Sequence, residues 1–90
     1  MADTANLNVL AALEYNIAAC HKKSGHLKEA EKYYKQSIAD ALKANNKNYL
    51  ALNYKALYDI KRNRRQYFEA AGYLEEYVKL NESIFGSDKS

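Results

Sequence analysis

Apolar residues recur every three or four positions along nearly the whole chain, which is the spacing of amphipathic α-helices. The first such stretch runs from Leu7 to Cys20, and Asp3 or Thr4 can cap its N-terminus. Three further stretches follow, at about residues 27–42, 50–60 and 67–85. The breaks between them span only about two to four residues, so neighbouring helices must lie antiparallel. The pattern therefore predicts four antiparallel helices.

Composition supports an all-helical class. The chain has 90 residues, with three glycines, no proline and one cysteine. Three glycines and no proline are too few turn-forming residues for a β-sandwich, β-barrel or β-propeller. One cysteine forms no internal disulfide, and the chain opens with no positively charged and then apolar leader, so we expect a cytoplasmic protein. No apolar run approaches the roughly 18 residues of a membrane span, and no membrane association is expected.

The sequence repeats itself weakly at a distance of 40 residues. At this offset Glu29, Ala30 and Tyr33 align with identical residues at positions 69, 70 and 73. A small residue is followed four positions later by a large one in both copies, as in Ala30 and Tyr34. Such a pair lets two helices approach closely while the large side chain fills the adjacent groove. The repetition predicts two similar helical pairs, although an unrelated antiparallel four-helix bundle has much the same periodicity.

The two helical pairs resemble the tetratricopeptide repeat family in the positions of several apolar and small residues. These positions are Ile17, Ala18, the turn at 24–27, Ala30 and Tyr34 in the first pair, and Tyr54, Leu57, Ala70 and Leu74 in the second. The chain also departs from the family: His21 replaces an aromatic residue, Tyr58 stands at a usually small position, and Arg65 replaces the turn glycine. The terminal prolines are absent, and the 40-residue period exceeds the family's usual 34. The closing stretch, residues 67–85, is also similar to the last repeat of bacterial signalling proteins such as sensor kinases.

The resemblance implies a single all-α domain of two helix-turn-helix hairpins of the α-solenoid type. Repeat 1 would span about residues 11–44 and repeat 2 about residues 48–85, with a flexible tail at 86–90. It also implies a non-catalytic interaction module that binds a protein or peptide, in keeping with a regulatory segment of a signalling protein.

A peptide groove is expected on the first helix of each hairpin, where asparagine and lysine side chains can hold an extended peptide. The predicted lining is Tyr15, Asn16, Ala19, Lys22, Lys23, Lys55, Asp59 and Arg62. The lysine and asparagine clamp that some family members use for a C-terminal carboxylate is not reproduced, because Tyr15 and Ala19 stand at the corresponding positions.

A basic run offers an alternative function. Lys61, Arg62, Arg64 and Arg65 place four cations within five positions, a local charge that could attract the phosphates of a nucleic acid. Cations at a helix C-terminus also offset the helix dipole, and we favour this structural role. The net charge of +3 is modest for a nucleic-acid module, so a nucleic-acid partner is considered unlikely.

Candidate catalytic and metal-binding groups are few. Cys20, His21 and His26 are the only soft ligands, and their spacing does not suit a structural zinc site. Cys20 aligns with Ile60 across the repeat, so we expect it to be a small buried hydrophobe. Most acidic residues sit among lysines at helix-surface spacing, and we expect them on solvated faces. No enzyme activity, metal or cofactor is predicted.

The fourth helix suggests self-association. Two hairpins are fewer than the roughly three repeats that such arrays require, because each unit buries its apolar face on a neighbour. Tyr77, Ile84 and Phe85 are among the large groups that the third helix alone does not cover, and we expect them to contact a second copy. A longer repeat array that continues from these residues is the other interpretation.

Overall fold

The computed structural model describes residues 3–86, and these residues are almost entirely helical. Helix α1 spans Thr4–Lys23, α2 Leu27–Lys43, α3 Lys47–Asn63 and α4 Tyr67–Asn81, and a π-helical turn, Glu82–Gly86, follows α4. No strand occurs within this described range. The predicted all-α class with four helices is confirmed. Apart from Gly86, the tail predicted at 86–90 lies outside the described residues.

Side-chain caps mark two of the helix starts. The Asp3 carboxylate accepts a hydrogen bond from the Ala5 N–H at 3.1 Å, and the Asn46 side chain accepts one from the Tyr49 N–H at 3.1 Å. Each cap satisfies a backbone donor that has no partner inside the helix. His26 and Gln66 precede α2 and α4 without such a bond, as expected of weak capping residues.

The three turns have the same backbone geometry. Gly25, Asn45 and Arg65 adopt left-handed conformations with φ of 83°, 56° and 63°. In every turn the N–H of the next residue donates to the carbonyl five positions earlier, at 2.8 Å. This is the helix-ending motif in which one left-handed residue satisfies the last carbonyls. Because the left-handed positions are 20 residues apart, each helix with its turn forms a 20-residue unit, and two units make the 40-residue repeat.

The helices form two antiparallel hairpins that lie side by side. α1 packs on α2 and α3 packs on α4, while α2 and α3 join the hairpins and a smaller contact connects α1 with α3. Within the described residues α1 and α4 form no extensive contact, as they would in a closed bundle. The dimensions of 37 × 34 × 18 Å describe a slab. The predicted hairpin arrangement is thus confirmed over the single-centre bundle.

The main core lies where α1, α2 and α3 meet. Three alanines, Ala18, Ala30 and Ala56, allow the helices to approach, and the larger side chains of Tyr34, Leu57 and Ile60 fill the remaining space; all six residues are buried. The predicted small-then-large pair of the second helix, Ala30 and Tyr34, is therefore a core element.

A chain of buried polar groups links the same three helices. The Ser37 hydroxyl on α2 donates to the Ala11 carbonyl on α1 at 2.7 Å and accepts from the Asn53 side-chain amide on α3 at 2.8 Å. The Asn53 amide also donates to the Tyr49 carbonyl at 2.8 Å. Such bonds form only in one register of the helices, so they fix how α1, α2 and α3 align.

The outer helices bury less of their apolar surface than their sequence pattern predicts. Several residues assigned to apolar stripes are exposed: Leu10, Leu13, Ile17, Leu42, Leu52, Tyr67, Phe68 and Val78. Six of these eight residues belong to the outer helices α1 and α4. None of the described helices is both long enough and apolar enough to cross a membrane.

Candidate functional site

A groove of about 380 Å³ lies between α1 and α3, on the face where the first helices of the two hairpins are neighbours. It brings together six of the eight residues predicted to bind a peptide: Tyr15, Ala19, Lys22, Lys23, Lys55 and Asp59. Because α1 and α3 are equivalent helices of the two repeats, the groove follows from the stacking of one hairpin on the other.

The floor of the groove is apolar and aromatic. Ala19 and Ala56 leave it open to a ligand backbone, and the exposed Leu52 adds apolar surface. The Tyr15 ring meets the rings of Tyr34 and Tyr49 edge-on, with centroids 5.7 Å apart in both pairs. These contacts hold the Tyr15 ring in place, as a preformed binding surface requires.

Tyr34 lies beneath the groove and is only 2% exposed. Burial, reinforced by neighbouring Tyr15 and the negative charge of Asp59, raises the pKa of Tyr34 to about 12. Tyr34 therefore supports the floor of the groove from below as a neutral, buried side chain.

The rim of the groove is mainly positive. Lys22, Lys23 and Lys55 stand against a single carboxylate, Asp59. The Lys22 ammonium lies 3.5 Å from an Asp59 carboxylate oxygen, an ion pair that reaches across from α1 to α3. The Lys55 ammonium lies 5.8 Å from the centre of the Tyr77 ring, a cation–π distance. The rim therefore has a net positive charge that favours an acidic ligand.

Two of the predicted lining residues, Asn16 and Arg62, lie outside the groove. Asn16 follows Tyr15, and one residue turns its side chain about 100° around the helix, onto an exposed face. The Arg62 guanidinium lies 5.6 Å from the Tyr58 ring centre instead.

Leu52 lines the groove but was not among the predicted residues, because it belongs to the apolar stretch predicted at about residues 50–60. The helical phase of Leu52 is the sequence signal that separates it from the buried residues of α3. Leu52 is out of helical phase with Leu50, Leu57 and Ile60, which are all buried.

The basic run at the end of α3 is partly neutralised. Lys61 is buried, and its ammonium lies 2.6 Å from a Glu31 oxygen and 3.3 Å from a Glu69 oxygen. Arg64 lies 3.6 Å from Glu31. Lys61 therefore faces two carboxylates, and the alternative nucleic-acid surface loses one of its four cations.

The Glu31 and Lys61 charges stabilise each other. Burial acts to raise the pKa of Glu31, but hydrogen bonding and charge from Lys61, with smaller effects of Lys35 and Arg64, bring the net pKa below its ordinary value. The hydrogen bond to Glu31 raises the pKa of Lys61. The expectation of a solvated face is wrong for Glu31, because its side chain lies between α2 and the end of α3.

Glu14 is a second acidic residue away from open solvent. Burial, together with hydrogen bonding and repulsion from Asp40 on α2, raises the pKa of Glu14 to about 7. Its Oε1 atom is buried with no hydrogen-bond partner among the described residues. A carboxyl group facing a carboxylate across two helices can hold a proton near neutral pH.

The soft ligands do not form a site in the described part of the chain. Cys20 is exposed, so the prediction that it is buried was wrong. The His21 ring stacks on Tyr33 at 5.7 Å and lies 5.8 Å from the His26 ring. Among the described residues, no three histidine, cysteine or acidic side chains group as metal ligands do.

The residues predicted for self-association lie along the C-terminal part of α4 and beyond it. Tyr77 and Ile84 are half-buried and line a shallow groove with Leu52 of α3. The side chain of Phe85 lies outside the described residues.

No protein-family model, curated protein or solved structure matches this chain, so the resemblance to tetratricopeptide repeats rests on its sequence positions alone.

Proposed function

We propose that this chain is a tetratricopeptide-repeat-like module that binds a peptide segment of another protein in the groove between α1 and α3. The single observation that carries the proposal is this groove, where an apolar floor lies beneath a rim of three lysines and one aspartate. Its preferred ligand is an extended segment with apolar side chains and acidic groups. The binding role is non-catalytic, in keeping with a regulatory segment of a signalling protein.

The chemistry of the groove supports an extended ligand. Side chains of an extended peptide alternate between two faces, so apolar residues can contact Ala19, Leu52 and Ala56 while acidic residues meet the lysines.

Direct titration tests the proposal. The probe is a fluorescently labelled peptide of alternating leucine and glutamate with a free C-terminal carboxylate, and the readout is fluorescence anisotropy. We expect saturable binding that weakens with salt, because screening reduces the attraction of the rim but not the apolar contact. The same peptide with lysine in place of glutamate should bind much more weakly.

Charge variants locate the binding site. Lys22→Glu and Lys55→Glu should each weaken binding several-fold, whereas Asp59→Asn should strengthen it because the competing carboxylate of the Lys22 ion pair is removed. Lys43→Glu is the matched control, since Lys43 is exposed on α2 outside the groove lining. Equal loss in Lys43→Glu would show that only net charge matters and would overturn the assignment of the site.

A labelled single-stranded oligonucleotide tests the alternative of nucleic-acid binding. Oligonucleotide binding that is abolished by Arg62→Ala with Arg65→Ala, without any peptide binding, would replace the proposed function with the nucleic-acid alternative.

A further inference from the structure

The N-terminal end of the helix stack is an exposed apolar stripe on α1. Leu10, Leu13 and Ile17 retain 44%, 53% and 42% of their accessible surface, and their spacing places them on one side of the helix. No other described helix packs over them. We call these three residues the N-terminal end face.

The 40-residue repeat shows what this face is suited to contact. At the 40-residue offset, the three residues of the N-terminal end face correspond to Leu50, Asn53 and Leu57 of α3, which are buried. On α3 these positions face α2: Leu50 shares a core cluster with Ala41, Asn53 hydrogen-bonds Ser37, and Leu57 shares a cluster with Tyr34. The same positions on α1 are thus shaped to receive a helix like α2.

The opposite end of the stack presents such a helix. The outer side of α4 carries a groove of about 640 Å³, lined by Ala71, Leu74 and Val78 among other residues. We call these three residues the C-terminal end face. They correspond through the repeat to positions 31, 34 and 38 of α2, which lie at the joint with α3.

We infer that a second copy of this chain docks head to tail, with the N-terminal end face of one copy against the C-terminal end face of the next. The joint between α2 and α3 is the template for this contact. Ile17 of one copy meets Leu74 of the other in the place of the packed pair Leu57 and Tyr34. Because the two faces differ, the contact is heterologous and continues into an open array.

The chemistry of the two faces fits an apolar contact between copies. In the joint between the hairpins, Glu31 needs Lys61 at 2.6 Å as its partner. At the corresponding positions of α4 and α1 stand Ala71 and His21, so the contact between copies has no counterpart of this buried carboxylate. The two carboxylates that line the α4 groove belong to the exposed residues Glu69 and Glu75. None of the end-face residues lines the groove between α1 and α3, so the inference stands apart from the proposed peptide binding.

Two end-blocked variants test the head-to-tail contact in the full chain. Ile17→Glu places a charge on the N-terminal end face and Val78→Glu places one on the C-terminal end face. Analytical ultracentrifugation should show a wild-type mass that grows steadily with concentration and a monomer for each variant alone. An equimolar mixture should stop at a 1:1 dimer, since each variant retains one intact face.

Leu42→Glu is the matched control, because Leu42 is 59% exposed on α2 and belongs to neither end face; it should associate like the wild type. Circular dichroism verifies that all variants keep the helical fold. A wild type that stays monomeric up to millimolar concentration would overturn the inference. So would normal association of Ile17→Glu together with a monomeric Val78→Glu, since that pattern indicates a symmetric contact through α4. Loss of association in Leu42→Glu would also count against the end faces.

Discussion

The single residue with the strongest predicted influence on pH dependence is Glu14. Its folded-state pKa of about 7 lies above the ordinary value of 4.5, so folding favours the protonated form. The stability that comes from this proton is fully present below the ordinary pKa and is lost as pH rises through about 7. The depressed pKa of Glu31 acts in the opposite sense, in the more acidic range below the ordinary carboxyl value.

We therefore expect the Glu14 carboxyl group to lower the free energy of unfolding by about 1 to 3 kcal/mol as the pH rises from 4.5 to about 7. Glu14→Gln should flatten this decrease and stabilise the protein at neutral pH, because an amide has no proton to lose and can donate to Asp40. Urea denaturation followed by circular dichroism on both sides of the window measures the effect. Glu29→Gln, at an exposed position on α2, is the control and should retain the wild-type slope.

Ser37 and Asn53 make a second residue-scale prediction. Ser37→Ala removes a hydroxyl that both donates and accepts in the buried core and leaves the Asn53 amide with one partner fewer, so it should cost about 1 to 3 kcal/mol. Adding Asn53→Leu should recover part of this loss, because it removes the Asn53 amide, whose Oδ1 atom is already buried without a hydrogen-bond partner among the described residues. A double-mutant cycle in urea measures the coupling, and strictly additive effects would contradict the linked polar chain.

At the scale of the helical elements, the turn after α3 is less favourable than the turn after α1. Arg65 adopts φ of 63°, a left-handed conformation that costs a residue with a Cβ about 1 to 2 kcal/mol, whereas glycine adopts it freely. Arg65→Gly should therefore raise the free energy of unfolding by about 1 kcal/mol. Arg65→Ala is the control, since it removes the side chain but keeps the backbone strain and should give no gain.

Gly25 provides the opposite test of the same geometry. Its φ is 83°, and a Cβ added there would meet no atom within 4 Å, so Gly25→Ala changes backbone strain without a clash. In thermal unfolding, Gly25→Ala should lower the midpoint temperature by about as much as Arg65→Gly raises it. An unchanged midpoint in both variants would show that the turns relax at no cost.

The helices themselves could be predicted from sequence because the apolar spacing and the turn residues agree. The regular 20-residue unit could not, since glycine, asparagine and arginine occupy the three left-handed positions and only the backbone shows their equivalence. Burial was predicted well for α2, apart from the exposed Leu42, and less well for α3, where Leu52 is exposed while Asn53 and Lys61 are buried. It was predicted poorly for Leu13 and Cys20, because an apolar stripe indicates a contact surface without indicating whether its partner is present.

The candidate groove was predicted largely because a repeat places equivalent helices side by side. The 40-residue offset relates Tyr15 to Lys55 and Ala19 to Asp59, and stacking brings both pairs to one face. The ion pairs of Glu31 with Lys61 could not be predicted in this way, because they join two different positions of the repeat across the joint between hairpins. Contacts between unlike positions depend on the distance and angle between helices, which no periodicity supplies.

At the scale of the whole molecule, stability should depend on the joint between the hairpins. Tyr34, Leu57 and Ile60 are buried in this shared core, and exposing each costs roughly 1.5 to 3 kcal/mol. A single hairpin is also too short to bury a sufficient core alone. Fragments 1–45 and 46–90, separated at the turn after α2, should each have low helicity by circular dichroism. Mixing them should restore helicity in a concentration-dependent manner, and substituting Ile60→Asp in the second fragment should prevent that recovery. A cooperative thermal transition of fragment 1–45 alone would show instead that the first hairpin folds without its neighbour.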